Sequence, residues 1–181
     1  PNILKNTYGT GLFVMATTGS APVDSPRLVS TIAWKRDGKT TYALEGSVFT
    51  GGSLIQWLRD DLGLIASAAD SEALARQSKD PQEVFVVPAL NGLGAPDWDP
   101  EARGLIIGLH RGTKKADIVR AALESLAYQT AEVVAAMGGQ YDVLKVDGGA
   151  SENTFLMQFQ ADLLGMTVEK TAITESTAIG I

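Results

Sequence analysis

The sequence contains no cysteine and a single histidine, His110, among 181 residues. The absence of cysteine excludes disulfides, thiolate nucleophiles and Cys-ligated zinc, and it favours a reducing cytoplasm. One histidine excludes a metal site built from several imidazoles. We interpret His110 as a polar residue that follows a strand.

Long apolar runs are also missing. The stretch from Asn6 to Val23 carries no charge, but Gly, Thr, Ser and Pro interrupt it. It therefore falls short of the roughly 18 consecutive apolar residues that a membrane-spanning helix needs. The chain begins at Pro1 with neither an initiating Met nor an apolar signal region. We predict no membrane segment, and we expect the chain to be an internal piece of a longer protein.

Basic residues are outnumbered: 15 Lys and Arg stand against 21 Asp and Glu, for a net charge of −6 and a pI of about 4.8. Such a surface repels polyanions at long range, so we expect no nucleic-acid partner. Hydrophobic residues make up 45% of the chain and its mean hydropathy is +0.06. This composition is typical of a globular domain with a sizeable core.

Hydrophobic patterning predicts strands first and then alternating helices and strands. The first half predicts an antiparallel three-stranded meander, and the second half helices bounded by glycines. Together they indicate an α/β domain with a mixed sheet covered by helices on both faces. The predicted strands are Leu12–Met15, Leu28–Trp34, Tyr42–Glu45, Val84–Pro88, Gly104–Leu109, Val143–Val146 and Thr167–Lys170, and the predicted helices are Leu54–Leu62, Ser71–Gln77, a long one from Thr113 to Gly138, and one from Ser151 to Gly165.

Two helix starts are assigned to hydroxyl caps, Thr113 for the long helix and Ser151 for the one that follows the strand at Val146. A further helix start is predicted at Thr174. The segment from Ala89 to Arg103 is dense in Gly, Pro, Asn and Asp and is predicted to be a long irregular loop.

Three glycine clusters lie where strands turn or helices begin: Gly9 to Gly11, Gly51 to Gly52, and Gly148 to Gly149. Glycine lets the backbone approach a ligand closely, and a helix N-terminus adds partial positive charge that suits a phosphate. Each cluster alone is also explained by a tight turn. Three in one α/β domain favour nucleotide binding.

Two familiar phosphate motifs fail. The Rossmann pattern started by Gly9 and Gly11 has Val14 at its third glycine position, and a strand follows instead of a helix. The segment Gly38-Lys39-Thr40 resembles the end of a P-loop, but Ala33 replaces the first glycine and the segment is predicted to be a hairpin turn. The candidate carboxylates, Glu45, Asp97, Asp99 and Asp147, show no paired spacing, and Asp147 fits a turn as well as a site.

Several separate motifs, in order along almost the whole chain, resemble the FGGY family of carbohydrate kinases, and within it the branch that phosphorylates glycerol. The segment from Gly104 to Glu124 is similar to a signature of the family. The other matching segments are Lys5 to Gly11, Tyr42 to Val48, Ile55 to Asp60, Val87 to Pro96 and Val146 to Ala150.

This resemblance implies an actin-like, ribonuclease H-like ATPase fold, with residues 1–181 forming an incomplete C-terminal nucleotide-binding domain that closes on an N-terminal domain of the same protein. It implies ATP and Mg²⁺ as cofactors, glycerol as substrate, a cytoplasmic location and a homo-oligomer. The catalytic base and the polar glycerol ligands are expected outside this chain, so the chain alone is expected to be inactive.

The resemblance also implies roles for particular residues. Thr10 and Gly11 are expected at the β- and γ-phosphates, Gly52 and Gln56 at the nucleotide, and Gly149 and Asn153 at the adenosine; Phe13 is expected against the carbon chain of glycerol. No metal ligand is expected in this chain. Two alternatives stay open: another FGGY kinase acting on a pentulose, and a non-catalytic nucleotide-binding module that kept the fold.

Overall fold

The computed structural model describes residues 2–79 and 83–172. The predicted helix start at Thr174 lies outside these residues. In chain order the elements are β1 (Ile3–Tyr8), β2 (Leu12–Gly19), β3 (Val29–Arg36), β4 (Lys39–Val48), α1 (Gly52–Asp60), α2 (Asp70–Ala75), β5 (Phe85–Val87), β6 (Leu105–Ile107), α3 (Lys115–Met137), β7 (Val143–Asp147), a 3₁₀ turn (Gly149–Glu152), α4 (Thr154–Leu164) and β8 (Thr167–Lys170).

Six strands form a mixed sheet in the order β3-β4-β2-β1-β7-β8. The strands β1, β7 and β8 run parallel, whereas β1, β2, β4 and β3 are antiparallel neighbours. The predicted meander is wrong in its pairing, because β4 lies between β2 and β3. The tight turn at Asp37 and Gly38, both at positive φ, folds β4 back beside β3, and β4 pairs on its other side with β2.

Strand β1, which the sequence patterning missed, is central to the sheet. Its residues alternate between buried Leu4, Asn6 and Tyr8 and the partly exposed Lys5 and Thr7. Two of the buried positions are polar, and Asn6 is completely inaccessible. The usual apolar alternation of a strand is therefore incomplete in this segment.

Helices α3 and α4 cover one face of the sheet. The crossovers from β4 through α3 to β7 and from β7 through α4 to β8 advance in the same direction along the sheet. Right-handed crossovers therefore place both helices on the same side, where they pack against each other. On the opposite face of the described strands, residues such as Lys5, Phe13 and Lys145 are partly or fully exposed, so helices on both faces stay a prediction.

The predicted long helix is confirmed, but its cap is not Thr113. The helix begins at Lys115, the Lys114 backbone N–H donates to the Asp117 carboxylate at 2.7 Å, and the Thr113 hydroxyl instead accepts from the His110 N–H. An acidic side chain three residues after the cap satisfies the helix start better, because its charge also complements the helix dipole.

The cap predicted at Ser151 is also wrong. Ser151 lies in the 3₁₀ turn, where its hydroxyl donates to the Gly148 carbonyl oxygen at 2.6 Å. Helix α4 begins at Thr154, and Asn153 caps it by accepting from the Leu156 N–H at 3.0 Å. The left-handed Gly165 ends α4 as predicted.

The long loop packs against the sheet and does not project from it. Strands β5 and β6, both predicted, pair beside α3 and flank this loop. The Ala95 N–H donates to the Ser47 carbonyl oxygen at 2.9 Å, and the Trp98 indole donates to the Arg27 carbonyl oxygen at 2.8 Å. In the part of the chain described, no helix is long and apolar enough to cross a bilayer.

Candidate nucleotide site

A cavity of about 520 Å³ opens where β1 and β7 end. Because these strands are parallel neighbours, the loops that follow them meet at one edge of the sheet, which is where open α/β sheets bind ligands. The volume lies within the usual range for small-molecule sites. The lining residues are Tyr8, Gly9, Thr10, Gly52, Ile55, Gln56, Arg59, Ala68, Ala69, Ser71, Glu72, Leu123, Gly149, Ala150, Glu152 and Asn153.

The hairpin between β1 and β2 is held against the start of α1. The Gly52 N–H donates to the Gly9 carbonyl oxygen at 2.8 Å, and the Ser53 N–H and hydroxyl both donate to the Thr10 carbonyl oxygen. A Cβ atom on Gly52 would lie 2.8 Å from that Gly9 oxygen. Glycine is therefore required there for close backbone contact.

These bonds also change what α1 offers to an anion. The amides of Gly52 and Ser53 already donate to the hairpin, so they are unavailable to a phosphate. Thr10, which lies in the hairpin, is exposed and lines the cavity. An anion in the cavity would therefore meet the hairpin rather than the first amides of α1.

The glycines after β7 differ in their surroundings. Gly148 has φ +87°, and a Cβ atom there would lie 2.4 Å from the Tyr8 carbonyl oxygen. At Gly149 a Cβ atom would meet no atom within 4 Å, although this residue lines the cavity. Gly148 thus joins the β7 loop to β1, while the space beside Gly149 is open to a ligand.

Asn153 lines the cavity and also caps α4. Its Oδ1 accepts from the Leu156 N–H, and its Nδ2 donates to the Ser71 hydroxyl at 3.2 Å. An amide group has two N–H donors and two oxygen lone pairs, so one of each stays available for a ligand.

The rim of the cavity carries charged side chains that are already engaged. Glu72 accepts hydrogen bonds from Thr154 and Arg76, Glu152 pairs with Lys170 at 2.6 Å, and Arg59 makes a two-pronged contact with Asp60. Burial alone would raise the pKa of Glu72, but the hydrogen bonds from Thr154 and Arg76 together outweigh it and lower that pKa. Glu72 is therefore ionised at neutral pH.

Most of the predicted site residues meet at this cavity. Thr10, Gly52, Gln56, Gly149 and Asn153 all line it, although they come from three separate segments of the chain. Gly11 is buried behind the hairpin, where a Cβ atom would lie 2.5 Å from the Val48 carbonyl oxygen. Gly11 therefore allows the hairpin to pack closely against the end of β4, and it is not among the residues that line the cavity.

Phe13 lies outside the cavity. It is 41% exposed on β2, opposite Thr7 and Ser47 of the neighbouring strands. Its side chain is on the sheet face away from α3, because the alternate residues Leu12 and Val14 are the buried ones.

The cavity has lining residues that the sequence did not indicate. Ile55 and Leu123 add apolar surface, and Ala68, Ser71 and Glu72 form a wall around the start of α2. The apolar spacing in α1 could have indicated Ile55. The short α2 gives little periodic signal, so its wall could be found only in the fold.

Asp147 is buried in an ion pair. Its carboxylate is 2% exposed and pairs with the Lys5 amino group at 2.5 Å, and Lys5 also contacts the Thr7 hydroxyl. It is not among the residues that line the cavity. Among the residues described, no three acidic or histidine side chains are grouped to hold a metal ion.

Comparisons with known proteins identify the class. The fold matches solved sugar kinases with the α/β, actin-like and ribonuclease H-like architecture. One of them is a gluconate kinase from Lactobacillus acidophilus, with a TM-score of 0.83 and 22% identity; the match covers 97% of this chain and 36% of that structure. Residues 4–181 match the C-terminal domain of the FGGY family of carbohydrate kinases. The chain belongs to this family.

Particular relatives are more similar. The chain is 57% identical to a glycerol kinase of Dechloromonas aromatica, over 97% of this chain and 36% of that protein, and 56% identical to one of Carboxydothermus hydrogenoformans, over 99% and 37%. A Plasmodium falciparum glycerol kinase solved with ADP superposes at a TM-score of 0.89 with 36% identity, over 98% of this chain and 36% of that structure. The chain thus spans little more than a third of the length of these relatives.

Proposed function

We propose that the full-length protein carrying this chain transfers the γ-phosphoryl group of ATP to glycerol, and that residues 1–181 form the nucleotide-binding half. The observation that carries the proposal is the convergence of Thr10, Gly52, Gln56, Gly149 and Asn153 on one cavity. The identity of 57% to a glycerol kinase and the fold shared with one solved with ADP support the choice of substrate and nucleotide.

The cavity suits a nucleotide laid from the β7 loop towards the hairpin. The open space beside Gly149 and the apolar surface of Ile55 would receive the adenosine, with Gln56 and Asn153 supplying polar contacts. The Thr10 hydroxyl would donate to a phosphate oxygen. Fixed donors of this kind stabilise the charge that develops during phosphoryl transfer without reorganising.

The proton acceptor is proposed to lie in the N-terminal domain of the same protein. A general base works best with a pKa near the working pH. The lowered pKa of Glu72 makes it a weak base, and Glu152 is paired with Lys170. Closure of the two domains would complete the site and exclude water.

Mg²⁺ is not fitted by the residues of this chain alone. The ion prefers several oxygen ligands in octahedral geometry, and the two cavity carboxylates already have partners. Its ligands would have to come from the phosphates and from outside the described residues.

Phe13 is proposed to contact the carbon chain of glycerol, on the strength of its exposure and of the family resemblance. The cytoplasmic location and the homo-oligomeric state remain predictions, to be checked by cell fractionation and by light scattering on the full-length protein.

A coupled assay with purified full-length protein and ATP tests the function. Glycerol, a panel of pentuloses and gluconate are offered separately, and saturable ADP formation with glycerol is expected. Turnover restricted to a pentulose would support the other branch of the family. ADP binding without turnover on any acceptor would support the non-catalytic module.

A further inference from the structure

Four side chains join α2 to the start of α4 at the rim of the cavity. Thr154 donates to Glu72 through both its backbone N–H, at 2.9 Å, and its hydroxyl, at 2.5 Å. Beside this contact the Asn153 side-chain amide donates to the Ser71 hydroxyl at 3.2 Å. We call Ser71, Glu72, Asn153 and Thr154 the α2–α4 latch.

A cation reinforces the latch. Arg76 donates to Glu72 at 2.9 Å and to the Thr154 hydroxyl at 3.1 Å, and its guanidinium lies 5.8 Å from the centre of the Phe155 ring. The Arg120 guanidinium lies 5.2 Å from the same ring centre. The contact of Arg76 with α4 therefore combines charge-assisted hydrogen bonds with a cation–π contact, and Arg120 of α3 adds a second cation–π contact to the same ring.

Helix α2 depends on such contacts for its position. It has only six residues and no side-chain cap, and isolated helices of this length are unstable in water. It packs against α3 and α4 through the buried Ser71 and Ala75. Because irregular chain precedes it, its distance from α4 is set by side-chain contacts.

The latch also joins two walls of the cavity. Ala68, Ser71 and Glu72 line one side, while Gly149 and Asn153 line the other. Thr154 bonds to Glu72 but does not itself line the cavity. A change at Thr154 can therefore affect a ligand only through the position of its neighbours.

We propose that the α2–α4 latch is a positioning device, in which Glu72 and Thr154 hold the α2 wall at the distance from Gly149 that a nucleoside requires. The inference rests on the proposed nucleotide site and names residues that set its geometry. They act through neighbouring residues and take no part in the chemical step.

The test compares Thr154→Val with Thr154→Ser in the full-length protein. Valine keeps the shape and removes the hydroxyl that bonds to Glu72 and Arg76, whereas serine keeps that hydroxyl. We expect Thr154→Val to weaken ADP binding about five- to tenfold in calorimetry, with a parallel rise in KM for ATP. The KM for glycerol and kcat should stay within about twofold of wild type. Thr154→Ser should bind ADP as wild type does.

Two further variants make the result decisive. Glu72→Gln removes the charge and replaces one of the two acceptor oxygens that bond to Thr154 by an NH2 donor, and it should also weaken ADP binding about five- to tenfold. Glu101→Gln alters an exposed carboxylate outside the cavity and should change nothing. If Glu72→Gln fails to fold, the pair at Thr154 decides alone.

Gly149→Val separates this proposal from the function on which it rests. If Gly149→Val abolishes ADP binding while Thr154→Val binds normally, the latch is refuted and the nucleotide site stands. If Gly149→Val binds ADP as wild type does, the nucleotide site itself is refuted. A lower melting temperature in Thr154→Val with unchanged ADP affinity would show a purely structural contact and overturn the latch.

Discussion

Gly148 and Gly149 are adjacent residues with different requirements. Gly148 needs its positive φ and its lack of a side chain, because a Cβ atom would overlap the Tyr8 backbone. Gly149 has no such constraint, and the space where its side chain would project is open. The fold therefore requires glycine at the first position and not at the second, where we propose that a ligand needs the space.

We predict that Gly149→Val in the full-length protein weakens ADP binding at least about tenfold and lowers the melting temperature by no more than a few degrees. The valine side chain would occupy the open space that the nucleoside is proposed to fill. Calorimetry with ADP and a thermal melt measure the two effects.

Gly148→Ala is the matched control. It should destabilise the protein by about 1 to 3 kcal/mol, because it forces an L-residue into a strained backbone with a contact of 2.4 Å. Equal losses of stability in Gly148→Ala and Gly149→Val would contradict the proposal that the fold requires glycine only at position 148.

Thr10→Val should lower the rate of phosphoryl transfer by about one to two decades and leave the melting temperature nearly unchanged. The exchange preserves the shape of an exposed side chain and removes one hydroxyl. A hydrogen bond to a charged phosphate contributes about 1.5 to 3 kcal/mol, and the whole effect reaches kcat when the bond forms in the transition state. Steady-state kinetics measure it, with Thr40→Val on the β4 hairpin as control. Unchanged kinetics in Thr10→Val would refute the role.

At the scale of elements, two polar groups hold helix α3 in place. Asp117 accepts from the Lys114 N–H at 2.7 Å and from the Ser78 hydroxyl at 2.6 Å, which joins the helix start to the chain after α2. In the second half of α3, Thr130 accepts from the Asn6 side chain of β1 at 3.3 Å. The helix is thus held by polar contacts at its start and in its second half.

Asp117→Asn should reduce the free energy of unfolding by about 1 kcal/mol at pH 7, the usual cost of losing a helix cap. The Ser78 hydroxyl and the Lys114 N–H hold the pKa of Asp117 below its ordinary value of about 3.9. The stabilisation is therefore complete above about pH 4 and is lost as the pH falls through the lowered pKa. Urea unfolding at pH 7, 5 and 3 should show the difference shrinking with acid. A constant difference at all three values would contradict the ionised cap.

Tyr8→Phe tests the contact between β1 and α4. The Tyr8 hydroxyl donates to Gln160 Oε1 at 2.9 Å, so the variant leaves a buried acceptor unpaired and should cost about 1 kcal/mol at pH 8.

The dependence of stability on alkaline pH gives a second test of Tyr8. Burial raises the pKa of this residue to about 12, against opposing contacts from Thr130 and Asn6. The neutral phenol therefore stabilises the fold fully below about pH 10, and this contribution declines as the pH rises towards 12. The difference in unfolding free energy between wild type and Tyr8→Phe should narrow from pH 10 to 11.5 in denaturant unfolding. A gap that widens would exclude a buried neutral phenol.

At the scale of the whole molecule, the cavity proposed to bind the nucleotide offers no good proton acceptor. Its two carboxylates are occupied by hydrogen bonds or an ion pair, and the pKa of Glu72 is lowered. Positioning without a base gives little phosphoryl transfer.

Residues 1–181 expressed alone should therefore show no glycerol-dependent ATP turnover in an assay where the full-length protein is active. Calorimetry should detect weak ADP binding by the isolated chain, which would show that the inactive domain is folded. Measurable turnover by the isolated chain would disprove the division of the site between two domains.

Much of this protein follows from the sequence by itself. The apolar stripe of α3, the left-handed Gly165 and the glycine pair after β7 are local features, and local features are visible in a linear pattern. The resemblance to the family added the candidate site residues Thr10, Gly52, Gln56, Gly149 and Asn153, which the linear pattern alone does not bring together.

Only the tertiary structure decided the rest. Strand order depends on which edges meet after folding, so β4 entered between β2 and β3 although the chain order suggested a meander. The buried residues Asn6 and Tyr8 donate hydrogen bonds to Thr130 on α3 and Gln160 on α4, and those partners lie more than 120 positions away. The α2 wall of the cavity has the same origin, since Glu72 meets Thr154 across 82 positions and no local pattern encodes a contact of that length.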